Sequence, residues 1–305
     1  IEVSIHNLEY LSFINYNYEG NYRKMSFFKQ FENSIIIDKS DQNIFSMTPS
    51  KDYFVGNTPH GGYLTAAMQK ALSLSMPHPH VINSNTLYLE RTEPKEISIH
   101  IDKIRESKGS SVGRVSVIQD EKLRCMMTGI CSDFNYMNGV SDLETLPPKI
   151  FNEKRDLFIP LNFDNKQEGF TPSFIKQTKC DIAKQHAWWL KNENDLGDEA
   201  RCAGFISMGE EIPDQFVLSF YSDFFPPVVM NKYGPLGWVP TLSLTTNIRQ
   251  LPTTSKLFMD VIAKDLNKGF FEQDCQIWDL NKNLVATSRQ LTRILKSEEK
   301  LPHLK

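Results

Sequence analysis

Cysteine, long apolar runs and an excess of one charge are all scarce in this sequence. The five cysteines, Cys125, Cys131, Cys180, Cys202 and Cys275, are odd in number and scattered. They outline neither a disulfide scaffold nor a C-x2-C zinc motif, and they fit a reducing compartment. No apolar run approaches the roughly 20 residues of a membrane-spanning helix. With 34 Lys+Arg against 37 Asp+Glu the net charge is −3, which gives no overall basic footprint for nucleic acid. The phosphate-cradling pattern G-x-x-x-x-G-K-[ST] does not occur. The first residues lack the continuous apolar centre of a signal peptide, and His303-Leu304-Lys305 does not match the Ser-Lys-Leu peroxisomal address. Cytoplasm is the default location.

What is present is ordinary globular material: 305 residues, 40% hydrophobic and 23% charged, a length that suggests about two domains. Residues 1–24 are rich in Asn, Tyr and Glu without a clear period, and Met25 opens a stretch that reads as a natural beginning. The expectation is a disordered leader over 1–24. GGYLTAAMQKALSL, Gly61 to Leu74, predicts a helix apolar on most of its circumference, with a narrow polar stripe at Thr65, Gln69, Lys70 and Ser73. Such a helix has to be enclosed by other structure. Its two leading glycines allow close backbone approach and leave N–H groups open.

Strands follow the helix. Ile97, Ile99 and Ile101 alternate with polar residues, Lys108 to Ser111 reads as a turn, and Val115 and Val117 resume the alternation. About 160 residues later the order recurs: Leu257, Met259, Val261 and Ala263 on one parity, a turn at Asn267-Lys268-Gly269, another at Asn281-Lys282-Asn283, and a last strand to Leu295. A repeat this long means two copies of one unit, here a buried helix plus antiparallel strands, an α+β arrangement. The divisions are an N-terminal unit over 25–137, a proline-bearing linker over 138–177, a C-terminal unit over 178–297 and a tail over 298–305. The two units are expected to pack sheet to sheet.

Two motifs invite chemistry and lose it on context. Gly109-Ser110-Ser111-Val112-Gly113 matches the G-x-S-x-G nucleophile elbow, which needs a helix after it, whereas Arg114 to Ile118 alternates like a strand. His78-Pro79-His80 offers imidazoles to a metal, without a carboxylate or cysteine at helpful spacing.

NTPHGGYLTAAMQKAL (57–72), FYSDFFPPV (220–228), VPTLSLTTNIRQLP (239–252) and ATSRQLTRI (286–294) together resemble the double hot-dog acyl-CoA thioesterases of the TesB-like superfamily. The resemblance spans about residues 30–295. It implies an α+β tandem hot-dog, each half an antiparallel sheet wrapped around a long helix. It also implies hydrolysis of a fatty acyl-CoA, or a related acyl thioester, to free acid and CoA. Carried over by position, Asp223 matches the family's catalytic aspartate, Thr241 its hydroxyl residue and Gln290 its glutamine. His60, Gly61 and Gly62 form the turn expected to contact substrate. The first repeat has Gly129 or Thr128 where Gln290 stands, and Asn83 or a neighbour opposite Thr241, so one of two possible sites is equipped. Pro226-Pro227 after Asp223 implies a short or irregular second helix. No metal or redox cofactor is implied, and pairing into a homo-oligomer is compatible with the family.

The chemistry can be stated from the residues. Thioester hydrolysis needs a positioned water, a group that takes its proton and donors for the oxyanion. A carboxylate such as Asp223 serves as general base, worth about 10²–10⁴ in rate. Thr241 and Gln290 can hold the water's lone pairs, and N–H groups around Gly61-Gly62 or just after Asp223 suit the oxyanion. Arg91, Lys103, Arg105 and Arg249 are the cations available to the phosphates of CoA. Each site residue also has a structural reading: Asp223 as a helix N-cap, Thr241 as a β-former, Gln290 facing solvent, His60 as a turn residue. Two rival functions stand beside hydrolysis. One is a hot-dog hydratase or dehydratase using Asp181 and His186, at the D-x4-H spacing but without an intervening Asn-Pro. The other is a non-catalytic acyl-CoA-binding module.

Overall fold

The computed structural model describes residues 25–142, 144–161 and 172–295. The expected leader, the tail and part of the linker lie outside the described residues. The chain opens on α1 (Phe27–Ser34), capped by Ser26. Two short strands, β1 (Asp38–Asp41) and β2 (Ile44–Met47), and a small ribbon of β3 (Phe54–Val55) and β4 (Thr58–Pro59) lead into α2 (Gly61–Ser75). Four long strands follow: β5 (His80–Tyr88), β6 (Ile97–Glu106), β7 (Ser111–Gln119) and β8 (Lys122–Ser132). The β7–β8 hairpin turns at Asp120 and Glu121, with φ of 51° and 62°, the left-handed pair that matches strand twist in a two-residue hairpin. The second half contributes β9 (Phe158–Pro160), β10 (Lys179–Ala183), β11 (Arg201–Ser207), α3 (Gln215–Tyr221) and α4 (Met230–Tyr233), then β12 (Thr241–Ile248), β13 (Leu257–Asn267), β14 (Phe270–Asp279) and β15 (Leu284–Arg293).

All the long strands join one antiparallel sheet in the order β1-β2-β6-β7-β8-β5-β12-β15-β14-β13-β11-β10-β9. Outward from the β5–β12 seam, the strand after the helix is followed by the fourth, third and second strands of its half on either side. The halves therefore meet edge to edge, not face to face as the sequence suggested. At the seam Asn85 pairs with Thr245 and Asn83 with Asn247, and their side chains hydrogen bond across it, Asn85 Nδ2 to Thr245 Oγ1 at 2.6 Å and Asn83 Nδ2 to Asn247 Oδ1 at 2.8 Å. These polar residues, which in sequence resemble a solvent face, join the two halves of the sheet.

Helix α2 is enclosed so thoroughly that much of its polar stripe is interior. Thr65 and Gln69 have no exposed surface. Gln69 donates to Ser84 Oγ at 2.9 Å and accepts from Ser219 Oγ of α3 at 2.7 Å, which satisfies groups that would otherwise be costly to bury. Helix α3 is short. Asp214 caps it, accepting from the Phe216 and Val217 N–H groups, and it ends at Tyr221, ahead of Asp223. Pro226 and Pro227 keep α3 from running on through Asp223, since proline lacks an N–H and disfavours α conformation in the residue before it. The N-cap reading of Asp223 is thus replaced: the cap is Asp214, and Asp223 follows the helix's C-terminal end.

Strand β13 loses its alternation because both faces are covered. Leu257, Met259 and Val261 face the main core, while Phe258 packs with Phe205, Trp278 and the connecting stretch's Phe151 and Phe158 in a second small core. All five cysteines are free and buried. No described helix is long and apolar enough to cross a membrane.

Candidate active site

The N-terminus of α2 meets the C-terminal end of α3 at Asp223. Gly62 N–H donates to Asp223 Oδ2 at 2.9 Å, and Gln290 Nε2 donates to Oδ1 at 2.8 Å. Gln290 Nε2 also hydrogen bonds to Thr241 Oγ1. Residues separated by 67 positions in the chain are thereby joined in one network. Glycine is required at this junction. A Cβ on Gly62 would lie 2.7 Å from the Phe220 backbone oxygen, and one on Gly61 2.7 Å from Asp223 Oδ2, both too close for a real carbon.

Gln290 is committed on every side. Its two amide hydrogens go to Asp223 and Thr241, and its Oε1 accepts from Gln273 Nε2 at 2.8 Å. It orients the carboxylate and the hydroxyl and has no hydrogen left for a water, so the expectation that it touches the water is revised. Gln273, which the sequence reading missed, is itself fixed by the Val228 N–H at 3.4 Å. Its signal was a glutamine on the inward parity of β14, among Phe271, Cys275 and Ile277.

Asp223 is almost out of solvent, its side chain 8% exposed. Burial pushes its carboxyl above the ordinary carboxylate range, against the opposing pull of His60 and the hydrogen bonds from Gly62, Gln290 and Thr241. Burial pushes the His60 pKa the other way, below its ordinary value, against the opposing pull of the nearby acid. His60 Nε2 donates to the Asp223 carbonyl oxygen at 2.8 Å, and the ring packs 4.3 Å from Phe174. Its visible role is to hold the backbone of Asp223.

Two of the expected oxyanion donors are spent: Gly62 N–H on the carboxylate and Phe224 N–H on the Tyr221 oxygen at 3.0 Å. Gly61 N–H has no partner among the described residues and stands at the helix N-terminus on the cavity wall. That cavity is about 1000 Å³ and holds Asp223, Thr241 and Gln290 together. Its walls are mainly apolar, with Leu64, Phe174, Ile175, Trp188 and Met230, and its rim carries Arg91 and Trp238.

The first half has no such network at the corresponding place. Gly129, fourth from the end of β8 as Gln290 is of β15, lies opposite Gly113 as Gln290 lies opposite Gln273. Leu72 fills the space: its methyls lie 2.5 Å and 2.6 Å from where a Cβ on Gly129 or Gly113 would be. Of the two alternatives at this position the register selects Gly129 over Thr128. Asn83 is not the counterpart of Thr241, since it is engaged with Asn247 at the seam.

The remaining candidates sit elsewhere. Asp181 is half-exposed and faces Lys256 at 3.3 Å, while buried His186 accepts the Ala203 N–H on Nδ1 at 3.0 Å; neither lines the cavity. Ser111 begins strand β7, so the G-x-S-x-G match is a hairpin corner. His78 is engaged by Ser111 and the Lys108 oxygen and His80 by the Phe134 N–H, and no metal-binding cluster occurs among the described residues.

Comparison with known proteins decides the family. The model of the acyl-CoA thioesterase N-terminal domain matches residues 49–132, and that of the C-terminal domain matches residues 156–294. The chain belongs to the acyl-CoA thioesterase family. Among solved structures, a protein from Thermobifida fusca YX described as a candidate thioesterase II superposes with a TM-score of 0.75 at 17% identity, over 88% of this chain and 98% of its own. A hot-dog-fold protein from Alicyclobacillus acidocaldarius gives 0.75 at 16% identity, over 88% and 98%. The acyl-CoA thioesterase II TesB2 of Mycobacterium marinum gives 0.64 at 13%, over 88% and 98%. At these identities the likeness establishes the hot-dog fold of this family member. No curated protein matches the sequence.

Proposed function

We propose that this family member is a tandem hot-dog enzyme that hydrolyses a fatty acyl-CoA, or a related acyl thioester, to the free acid and CoA. The observation that carries the reading is the convergence of Asp223, Thr241 and Gln290 at one point of a large apolar cavity. The acyl chain lies against Leu64, Ile175 and Met230. Arg91, exposed at the rim and without an ion pair among the described residues, is the cation placed for a CoA phosphate; Lys103, Arg105 and Arg249 do not line the cavity.

The reaction runs in two steps. Asp223 takes a proton from a water whose oxygen adds to the thioester carbon, while Thr241, its oxygen fixed by Gln290, turns its single hydrogen from the carboxylate to the water's second lone pair. The carbonyl electron pair moves to oxygen, and Gly61 N–H meets the resulting oxyanion, helped by the positive end of α2. The oxyanion collapses, the C–S bond breaks, and the departing thiolate receives the proton held by Asp223. A buried carboxylate with a raised pKa is a stronger base for the first step and a competent acid for the second.

The test is thiol release from acyl-CoAs of graded chain length by wild type, Asp223→Asn and Gln290→Ala, with folding verified. Turnover by the wild type and its loss in both variants is expected. Unchanged turnover in both overturns the site. A wild type that binds acyl-CoA without releasing thiol favours the binding-module reading.

A further inference from the structure

The mechanism accounts for three of the four directions around the attacking water. One hydrogen goes to Asp223, one lone pair accepts from Thr241 and the other lone pair attacks carbon. The second hydrogen has no acceptor in that scheme, and an acceptor for it would fix the water's orientation. The cavity wall offers one neutral oxygen beside the base. A Cβ on Gly61 would lie 2.7 Å from Asp223 Oδ2 and 3.1 Å from the Tyr88 hydroxyl oxygen, so carboxylate and phenol border the same small space.

The direction of the neighbouring hydrogen bonds shows which way Tyr88 faces chemically. Thr65 Oγ1 donates to Thr86 Oγ1 at 3.0 Å, and Thr65 Oγ1 and Tyr88 Oη are 2.8 Å apart. Thr65 has one hydrogen, and Thr86 has it. The hydrogen between Thr65 and Tyr88 therefore comes from Tyr88, and what the phenol turns to the cavity is its lone pairs. Both threonines are completely buried: Thr65 of α2 reaches Tyr88 and is itself held by Thr86 of β5, which fixes the rotor. Burial and the nearby Asp223 hold the Tyr88 pKa well above its ordinary value, so the phenol keeps its proton and the donor assignment survives through the working pH range.

We propose that Tyr88 is the water-positioning residue of this site: its phenolic oxygen, with its own hydrogen given to Thr65, accepts the second hydrogen of the water that Asp223 deprotonates. This rests on the hydrolytic reading above and adds a residue from the first half to a site otherwise built largely from the second. No bond to Tyr88 forms or breaks.

The experiment compares Tyr88→Phe, Thr65→Val and Asp223→Asn in steady-state thiol release across pH. Tyr88→Phe keeps the ring and removes the acceptor, and should lower kcat by about 10- to 100-fold, the usual cost of misplacing a reacting group, with KM within about threefold. Thr65→Val removes the phenol's acceptor and frees its hydrogen for Asp223, so the acid limb of kcat/KM should move to lower pH. A merely structural tyrosine would give neither the kcat-selective loss nor the moved limb. A Tyr88→Phe enzyme with kcat within about threefold of wild type, or a loss confined to KM, overturns the proposal while leaving hydrolysis by Asp223 intact, provided Asp223→Asn is inactive. An active Asp223→Asn overturns the hydrolytic reading itself and the role of Tyr88 with it.

Discussion

Gln290 and Gly129 occupy matching places in the two halves of the sheet, and the difference between them separates a polar site from a filled one. Gln290 fixes Asp223 and Thr241; Gly129 leaves room for Leu72. A side chain at Gly129 would collide with packed apolar groups and nothing else. Gly129→Ala is therefore expected to lower stability by about 1–3 kcal/mol, the usual cost of overpacking a core. Denaturant unfolding and thiol release on the same sample check this, with turnover unchanged at a temperature where the variant is folded.

The pH dependence follows from the burial of Asp223. On the proposed mechanism Asp223 acts as base only when ionised, and its pKa is raised. The rate should thus fall as pH drops through a value above the ordinary carboxylate range of about 3.9. Gln290→Glu puts a second acid against Asp223, and repulsion disfavours the second charge. The acid limb of kcat/KM should then move further up in pH, alongside a lower maximum.

Gly62→Ala tests the helix junction. The added carbon would sit 2.7 Å from a backbone oxygen and 3.0 Å from Asp223 Cβ, so the helices must separate and the Gly62 N–H bond to Asp223 is lost. Activity should fall at least tenfold, with a lowered melting temperature. Full activity would mean that this contact does not position the base.

Arg91→Ala should raise KM for acyl-CoA several-fold with little change in kcat, since a rim cation binds substrate and transition state alike. Because the contact is exposed, the difference should shrink at high salt. Kinetics at two ionic strengths read both effects.

His186 separates the rival chemistry from the fold. Burial and the nearby Arg201 and Lys191 hold its pKa down at about 4 from 6.5. Its neutral form accepts the Ala203 N–H. A pKa lowered on folding contributes stability that is present above about 6.5 and lost as pH falls towards 4, roughly 3 kcal/mol at 1.36 kcal/mol per pH unit. His186→Asn should flatten that decline and leave thiol release unchanged. A hydratase using Asp181 and His186 would instead lose all turnover.

Helix α2 and strands β6, β7 and β13 are legible in the sequence because their apolar periods are set by burial along a single element. The strings around Asp223, Thr241 and Gln290 were legible only as a family resemblance, since an acid, a hydroxyl and an amide in three separate strings carry no period. The seam between β5 and β12 was hidden because Asn83, Asn85, Thr245 and Asn247 pair with one another and so look like a solvent face. The proline pair signalled a short or irregular second helix, but that α3 lies before Asp223 was hidden, because apolar residues continue on both sides and the Asp214 cap stands well upstream. Tyr88 and Gln273 act through partners brought together by the fold, which no local pattern announces.

The central claim is that Asp223 activates a water and does not itself attack the thioester. Single-turnover hydrolysis in oxygen-18 water, with enzyme in excess, tests it most directly. The account predicts that the acid released in the first turnover carries one heavy oxygen and that the peptide containing Asp223 carries none. First-turnover acid without the label, with the heavy atom found in Asp223, would contradict it.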